Sequence, residues 1–312
     1  MKKTVALLCG GVSSEREVSL KSGQQVFEAL DKEKYEVRRY DPQTDLPRLV
    51  ADAGRIDAAL IILHGAYGED GTVQGMLELL NIPYQGTGVL GSALCMNKLA
   101  AKLVYERCDI PIPAYATIRK GQSVQIDQLT ARLGLPVVVK PVVGGSSIGM
   151  TIVRSADRLQ AAVNDAFEQD NTVLVEAFIQ GIEVTGSVLG NDDPEALPLI
   201  EIIPDPKHDF FNYEAKYILG ASQEICPARI GPALTARAQS LARQAHRALF
   251  CSGYSRTDMM VRGDDIYVLE TNTIPGMTPT SLFPQAAREA GISFDQLLDR
   301  LIELGIQAHH NR

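Results

Sequence analysis

Two apolar segments near the end of the chain, 255–262 and 266–272, flank Gly263-Asp264-Asp265. This is the pattern of a β-hairpin. A three-residue loop over Gly263, Asp264 and Asp265 puts Asp258 opposite Glu270 and Arg256 opposite Asn272. Strand side chains alternate, so all four share one face. Two carboxylates directly opposite each other repel and destabilise a sheet. A hard divalent cation removes that conflict, and Mg²⁺ typically takes one or two carboxylates together with substrate phosphates. A solvated outer face is the plain alternative, since acidic residues are ordinary there. Asn272 and the Pro275-Gly276 turn beyond it favour a Mg²⁺–nucleotide site on a rigid hairpin. Arg256 then stands ready for a phosphate or a developing oxyanion.

The 312 residues allow two or three domains, and 45% hydrophobic with 22% charged residues is ordinary for a soluble globular chain. A net charge of -8 argues against nucleic acid as a partner, although local lysines can still serve a small anion. Cys9, Cys95, Cys108, Cys226 and Cys251 are odd in number, dispersed and without a C-x-x-C pair. That points to reduced thiols in a cytoplasmic protein and away from disulfides or zinc. His309 and His310 are expected in a frayed tail. No segment has the length of a membrane span. The apolar start ends too soon, at Gly10-Gly11, for a signal peptide, and reads as a buried strand over 5–9.

A strand, a Gly-Gly turn and a helix opening at Ser14 and Glu17, with capping-box spacing, begin a doubly wound sheet. Glu15 falls in that first helical turn, where it either answers the helix dipole or meets a substrate ammonium. A second buried strand, 57–63, runs into His64-Gly65 and then Gly68-Glu69-Asp70-Gly71. His64 is there as a ligand group at the sheet edge or as part of a polar turn before the helix 72–80. Gly86-Thr87-Gly88-Val89-Leu90-Gly91 matches G-x-G-x-x-G but lacks a good strand before it and an acidic residue ending the next strand, so a nicotinamide cofactor is not expected. A helix is expected over 92–107 and a stiff connector at 110–113. Lys140 closes the apolar strand 135–140. Gly144, Gly145, Ser146, Ser147 and Gly149 follow, and then a strand 151–153. Backbone N–H groups in such a turn bind anions, and Lys140 adds charge for phosphates; the absence of G-x-x-x-x-G-K-[ST] makes this a phosphate-covering hairpin and not a Walker loop. Glu176 ends another apolar strand, either at a surface rim or beside an adenine slot, with Glu183 near a ribose. The polar and aromatic stretch 205–222 reads as a lid.

In order and spacing these motifs resemble the ATP-grasp superfamily and, within it, the D-alanine–D-alanine ligase family. The likeness rests on Gly10-Gly11 with Ser14-Glu15-Arg16-Glu17-Val18-Ser19, His64-Gly65 with Gly68-Glu69-Asp70-Gly71, and Gly145-Ser146-Ser147-Ile148-Gly149. Further on it rests on Tyr213-Glu214-Ala215-Lys216-Tyr217, Arg256 with Asp258, Glu270-Thr271-Asn272 and Pro275-Gly276-Met277-Thr278. The resemblance implies an α/β ATP-grasp fold: an N-terminal doubly wound parallel-sheet subdomain (1–95), then two α+β subdomains (96–185 and 186–312) clasping ATP. It implies that one D-alanine carboxylate is phosphorylated by ATP and that the amine of a second D-alanine displaces the phosphate, giving D-alanyl-D-alanine for peptidoglycan. By this match Lys98 and Lys140 hold phosphates, while Glu176, Ala177 and Phe178 flank adenine and Glu183 takes the ribose. Asp258, Glu270 and Asn272 bind two Mg²⁺ or Mn²⁺ ions. Glu15 holds the first ammonium, with His64 also on the substrate side. Arg256 and the Gly276 amide form the oxyanion site, Ser281 holds the second carboxylate and Lys216 touches the γ-phosphate. Glu15, Ser146 and Tyr217 close the site. A homodimer is also implied.

Four positions depart from the family pattern: Asn97 for Asp, Gly144 for Glu, and Thr273-Ile274 before Pro275. The rival readings are a ligase joining D-alanine to D-lactate or D-serine, another ATP-grasp carboxylate–amine ligase, and a non-catalytic nucleotide-binding module. The lid sequence favours the dipeptide. The metal trio with Arg256 and Lys216 disfavours mere binding, which needs none of them together.

Overall fold

Apolar residues on both faces of one strand demand cover on both sides. Strand β1 (Lys3–Leu8) is followed by helix α1 (Arg16–Ala29), β2 (Tyr35–Tyr40), α2 (Leu46–Asp52), β3 (Ala58–Ile61), α3 (Thr72–Leu79) and α4 (Val89–Met96). The three strands are parallel in the order β2-β1-β3. Val5, Leu7 and Leu60 enter one core, and Ala6, Leu8 and Ile61 enter another on the opposite face. The expected doubly wound sheet is therefore present. The structure, a computed structural model, describes residues 2–145, 148–204 and 222–311. Ser146, Lys216 and Tyr217, and most of the expected lid, lie outside the described residues.

Helix α5 (Lys98–Arg107) leads to β4 (Tyr115–Arg119), α6 (Ile126–Leu133), β5 (Val137–Pro141), β6 (Thr151–Val153), α7 (Leu159–Ala166) and β7 (Thr172–Ala177). These strands form an antiparallel sheet in the order β4-β7-β5-β6. Val137, Val139, Val173 and Val175 point into a core of their own. Their neighbours Val138, Lys140 and Glu176 take the other face by alternation.

The third sheet holds β8 (Ile182–Leu189), β9 (Glu195–Ala196), β10 (Ile200–Pro204) and β11 (Ser222–Ile225). Helix α8 (Pro232–Ala248) precedes its hairpin, β12 (Tyr254–Arg262) and β13 (Asp265–Asn272). Helices α9 (Leu282–Glu289) and α10 (Phe294–His310) end the chain. The sheet runs β11-β10-β8-β12-β13, with β9 beside β8. All of its strand pairs are antiparallel. Strand β8 pairs wholly within this sheet.

The hairpin differs from expectation in a way that leaves its outcome intact. Arg262 pairs with Asp265, so the loop has two residues, Gly263 and Asp264. A β-bulge then intervenes: Met259 pairs with Val268 but Asp258 with Glu270, so Leu269 is the extra residue. Without the bulge, Asp258 would face Leu269 and Glu270 would turn toward the core, because a one-residue slip reverses the faces. With it, Val268 stays in the core beneath α8 while Glu270 emerges on the other face with Asp258.

Three local expectations are corrected. The residue preceding α1 is Glu15, with no side-chain cap bond, so Ser14 and Glu17 form no capping box; Ser13 Oγ instead accepts the Glu15 N–H. The helix expected over 92–107 is two helices, broken at Asn97 in an extended conformation. Asn97 Oδ1 accepts the Ala100 N–H at 2.9 Å, so the Asn in place of Asp still caps α5. His309 and His310 belong to the last turn of α10, where imidazoles near the carbonyl end suit the dipole.

Buried His246 fastens α8 to the start of β12 through Nδ1 and Ser255 Oγ at 2.8 Å. Burial, with some help from Arg247, pushes this imidazole down to about 4 from an ordinary 6.5. It is therefore neutral in the fold at pH 7. The unfolded chain gains a proton below about 6.5, so His246 leaves stability intact above that pH and erodes it down to about 4, by about 1.4 kcal/mol per pH unit. Urea unfolding at stepped pH should show His246→Gln less stable than the parent at pH 7, with a shallower decline across that window. Asn97→Ala should lower stability by about 1 kcal/mol in the same assay, whereas Asn97→Asp should keep or slightly raise it.

Candidate active site

The turn after β1 is built for close approach. Gly10 has φ +97°, and a Cβ there would lie 2.6 Å from the Asp41 carboxyl carbon. Asp41 accepts the Gly11 N–H at 2.9 Å and the Arg16 guanidinium at 2.6 Å, and Arg16 also donates to the Gly11 carbonyl. Hydrogen bonds from Arg16 and the backbone hold the Asp41 carboxyl below its ordinary range against the opposing effect of burial. So fixed, the turn delivers Glu15 into the interior, 6% exposed. A Cβ on Gly65 would be 3.0 Å from Glu15 Oε2, and one on Gly145 would be 3.1 Å away. Glu15 thus reaches between the turn after β3 and the glycine hairpin after β5.

His64 sits beside it, buried, with Nδ1 3.4 Å from Glu69 Oε1. Burial raises the Glu69 carboxyl, opposed by His64 and by the charge of Arg256. The buried Nε2 of His64 has no hydrogen-bond partner among the described residues, which leaves it open to a ligand. Of the two readings of His64 left open by the sequence, the ligand-edge one fits this orphan nitrogen.

A cavity of about 570 Å³ lies between the second and third sheets. Its lining includes the expected residues Lys98, Lys140, Glu176, Ala177, Phe178, Glu183, Asp258 and Glu270, with apolar walls from Val138, Ile152, Met260 and Leu269. The register explains the grouping: Glu176 pairs with Val138 on β5, and Glu183 with Met260 on β12. Lys98 is drawn to the glycine hairpin by its own N–H to the Val142 carbonyl and by Nζ to the Gly144 carbonyl at 2.6 Å. Gly144 has φ +140°, a conformation glycine supplies and Glu would resist, although the space around it is open.

Beside the cavity Arg256 forks onto Asp258, Nε to Oδ1 at 2.9 Å and Nη2 to Oδ2 at 2.8 Å. Thr185 Oγ1 adds a bond to Asp258 Oδ1 at 2.8 Å. Glu270 has Lys98 Nζ at 3.7 Å. The Oδ1 of Asn272 accepts the Ile274 N–H and keeps a second lone pair. These three donors are all oxygens on one face, which fits a hard cation. Among the described residues no three His, Cys, Asp or Glu side chains gather, so substrate oxygens would have to complete such a shell. Gly276 and Ser281 adjoin, a Cβ on the glycine falling 3.0 Å from Ser281 Oγ, which also accepts the Thr278 N–H.

The structure places Lys98, Lys140, Glu176, Ala177, Phe178, Glu183, Asp258 and Glu270 around one nucleotide-sized cavity, and brings Glu15, His64 and Arg256 within electrostatic reach of Glu69. It adds Glu69, Thr185 and Lys102, which sequence reasoning passed over. Lys102 had a legible signal: it follows Lys98 by four positions and so shares its helix face. Thr185 had none, because its role comes from the β8–β12 register.

The C-terminal part of the chain, residues 104–303, matches the family described as D-ala D-ala ligase C-terminus, and residues 4–47 and 41–87 match D-ala D-ala ligase N-terminus. The D-alanine--D-alanine ligase of Syntrophobacter fumaroxidans is 61% identical over 98% of both chains, and that of Desulfotalea psychrophila 54% identical over 97% of this chain and 95% of its own. Among solved structures, the Bacillus anthracis D-alanine--D-alanine ligase complexed with ATP superposes with a TM-score of 0.87 at 37% identity, covering 99% of each chain. The VanG D-Ala:D-Ser ligase of Enterococcus faecalis gives 0.84 at 34% identity, covering 98% of this chain and 100% of its own. With both of its halves matched and full-length relatives at this identity, the chain belongs to the D-alanine–D-alanine ligase family.

Proposed function

We propose that this chain uses ATP to join two molecules of D-alanine, giving D-alanyl-D-alanine, ADP and phosphate for peptidoglycan synthesis. The observation that carries the reading is the position of Gly145. Gly145 lines the nucleotide cavity and also abuts Glu15, so a γ-phosphate over the glycine hairpin would meet a substrate held by Glu15.

In this reading Lys98 and Lys140 neutralise phosphates, and Glu176, Ala177, Phe178 and Glu183 hold adenine and ribose. Glu15 takes the ammonium of the first D-alanine, and His64 Nε2 its carboxylate. A carboxylate oxygen attacks the γ-phosphorus and the bond to ADP breaks, which requires positioning and charge neutralisation more than side-chain covalency. The amine of the second D-alanine, oriented by Ser281 on its carboxylate, then attacks the acyl carbon. Arg256 and the Gly276 amide stabilise the oxyanion, phosphate departs, and the amine loses its proton. Two Mg²⁺ or Mn²⁺ ions held by Asp258, Glu270 and Asn272 would supply charge neutralisation at the β- and γ-phosphates. Ser146, Lys216 and Tyr217 complete the proposal as the groups that close the site over the acyl phosphate. We assign 1–95 to substrate binding and 96–185 and 186–312 to clasping ATP. We further infer a cytoplasmic homodimer acting without nucleic acid or membrane; among the described residues no helix is long and apolar enough to cross a bilayer.

Phosphate release from ATP and Mg²⁺ should depend on D-alanine, fail with L-alanine, and yield dipeptide by mass spectrometry. Product only when D-serine is added would instead favour the activity named for the VanG relative, and product only with D-lactate a depsipeptide ligase. Asp258→Asn should retain the parent's unfolding transition while losing at least about 100-fold in kcat. Ser281→Ala should raise the KM for the second D-alanine more than it lowers kcat, and equal effects on both D-alanine sites would remove its assigned role.

A further inference from the structure

Lys102 is the one described lysine with no exposed surface, and it is among the largest fully buried side chains of the protein. Its Nζ lies 3.0 Å from Glu176 Oε1, while Lys140 Nζ lies 3.0 Å from Glu176 Oε2. One buried carboxylate thus carries two ammonium groups, and the cluster has a surplus positive charge. The two lysines are not equivalent. Lys140 lines the cavity; Lys102 does not, and reaches Glu176 from α5. The Tyr115 ring, which pairs with Glu176 across β4 and β7, backs the Lys102 ammonium at 5.4 Å. Helix α5 is itself pinned by Tyr105, whose hydroxyl donates to Thr271 Oγ1 at 2.7 Å. Lys102 has nowhere else to go, whereas Lys140 has a cavity before it.

Resting on the nucleotide reading above, we propose that Lys102 is the standing counter-ion of Glu176, and that its presence releases Lys140 to the phosphates of ATP. A buried carboxylate stripped of its only cation is strongly disfavoured. Were Lys140 that only cation, phosphate and Glu176 would compete for it, and the nucleotide would bind only by leaving a charge uncompensated. With Lys102 in place Glu176 stays neutralised when Lys140 turns away. Burial lowers the Lys102 ammonium and Glu176 opposes that shift, while the two lysines hold the Glu176 carboxyl below its ordinary range despite burial. Lys102 is in this sense a positioning residue that acts on ATP through Lys140.

The test is a double-mutant cycle read with two ligands, ATP and adenosine, on the full chain by calorimetry or competition. Parent affinities come first, and failure of the parent to bind ATP would sink the nucleotide reading itself, separately from the role of Lys102. Lys102→Met should weaken ATP at least about tenfold, because Lys140 stays on Glu176, and adenosine by less than about threefold, because it has no phosphates to lose. In the Glu176→Gln background nothing charged detains Lys140, so adding Lys102→Met should change ATP affinity by less than about threefold. Parallel losses for ATP and adenosine would mean general damage to the site and overturn the proposal. So would an unchanged ATP affinity, or an equal loss in both backgrounds. If circular dichroism shows that Lys102→Met does not fold, Lys102→Gln, which keeps a donor without the charge, is measured with the same expectations.

Discussion

Asp258 and Glu270 face each other across two strands, and this like-charged pair organises what surrounds it. Left alone it would weaken the hairpin. The molecule answers with cations from two directions. Arg256 comes from the same strand and forks onto Asp258. Lys98 comes from the start of a helix that Asn97 caps and the glycine hairpin tethers. Each cation brings its own segment to the two carboxylates, so neutralising them also gathers basic groups where phosphoryl transfer is proposed.

The same economy governs the second sheet. Strict alternation gives β5 and β7 one purely apolar face, which closes its own core, and one face bearing Lys140 and Glu176. The third sheet reaches an equivalent division only through the bulge at Leu269. A regular hairpin could not place Val268 and Glu270 on opposite sides, since residues two apart share a face. The irregularity is thus what lets one short strand serve core and site together.

Much of this was legible in the residues. The opposed carboxylates, the parallel first sheet, the lysine closing an apolar strand and the His64 turn all follow from periodicity and turn chemistry. The hairpin is instructive because its loop length was misread by one residue and the bulge compensated by one, so Asp258 still met Glu270. No local pattern announces a bulge; it is decided by which side chains the core accepts. Ser14 with Glu17 has the right spacing for a capping box, yet the Arg16–Asp41 pair and the glycine turn dictate how the chain enters α1. The break at Asn97 was hidden because apolar residues continue through it. The pairing of Lys102 with Glu176 was beyond sequence reasoning: 74 positions separate the two, and only the tertiary fold joins them.

The cores also divide the labour of assembly unevenly. Among the described residues the second sheet's core draws only on its own stretch of chain, whereas Val5, Leu7 and Leu60 of the first sheet share a core with Phe283, Leu297 and Leu301 from the last two helices. Lys34 and Asp299, 265 positions apart, tie the same seam at the surface. During synthesis the first sheet leaves the ribosome with one apolar face covered only in part, by α1, and must wait for nearly the whole chain before α9 and α10 can complete the cover. The middle sheet meets no such delay. The order in which this protein is made is therefore not the order in which it can be finished, and the interval leaves its N-terminal segment the part most exposed to misassociation.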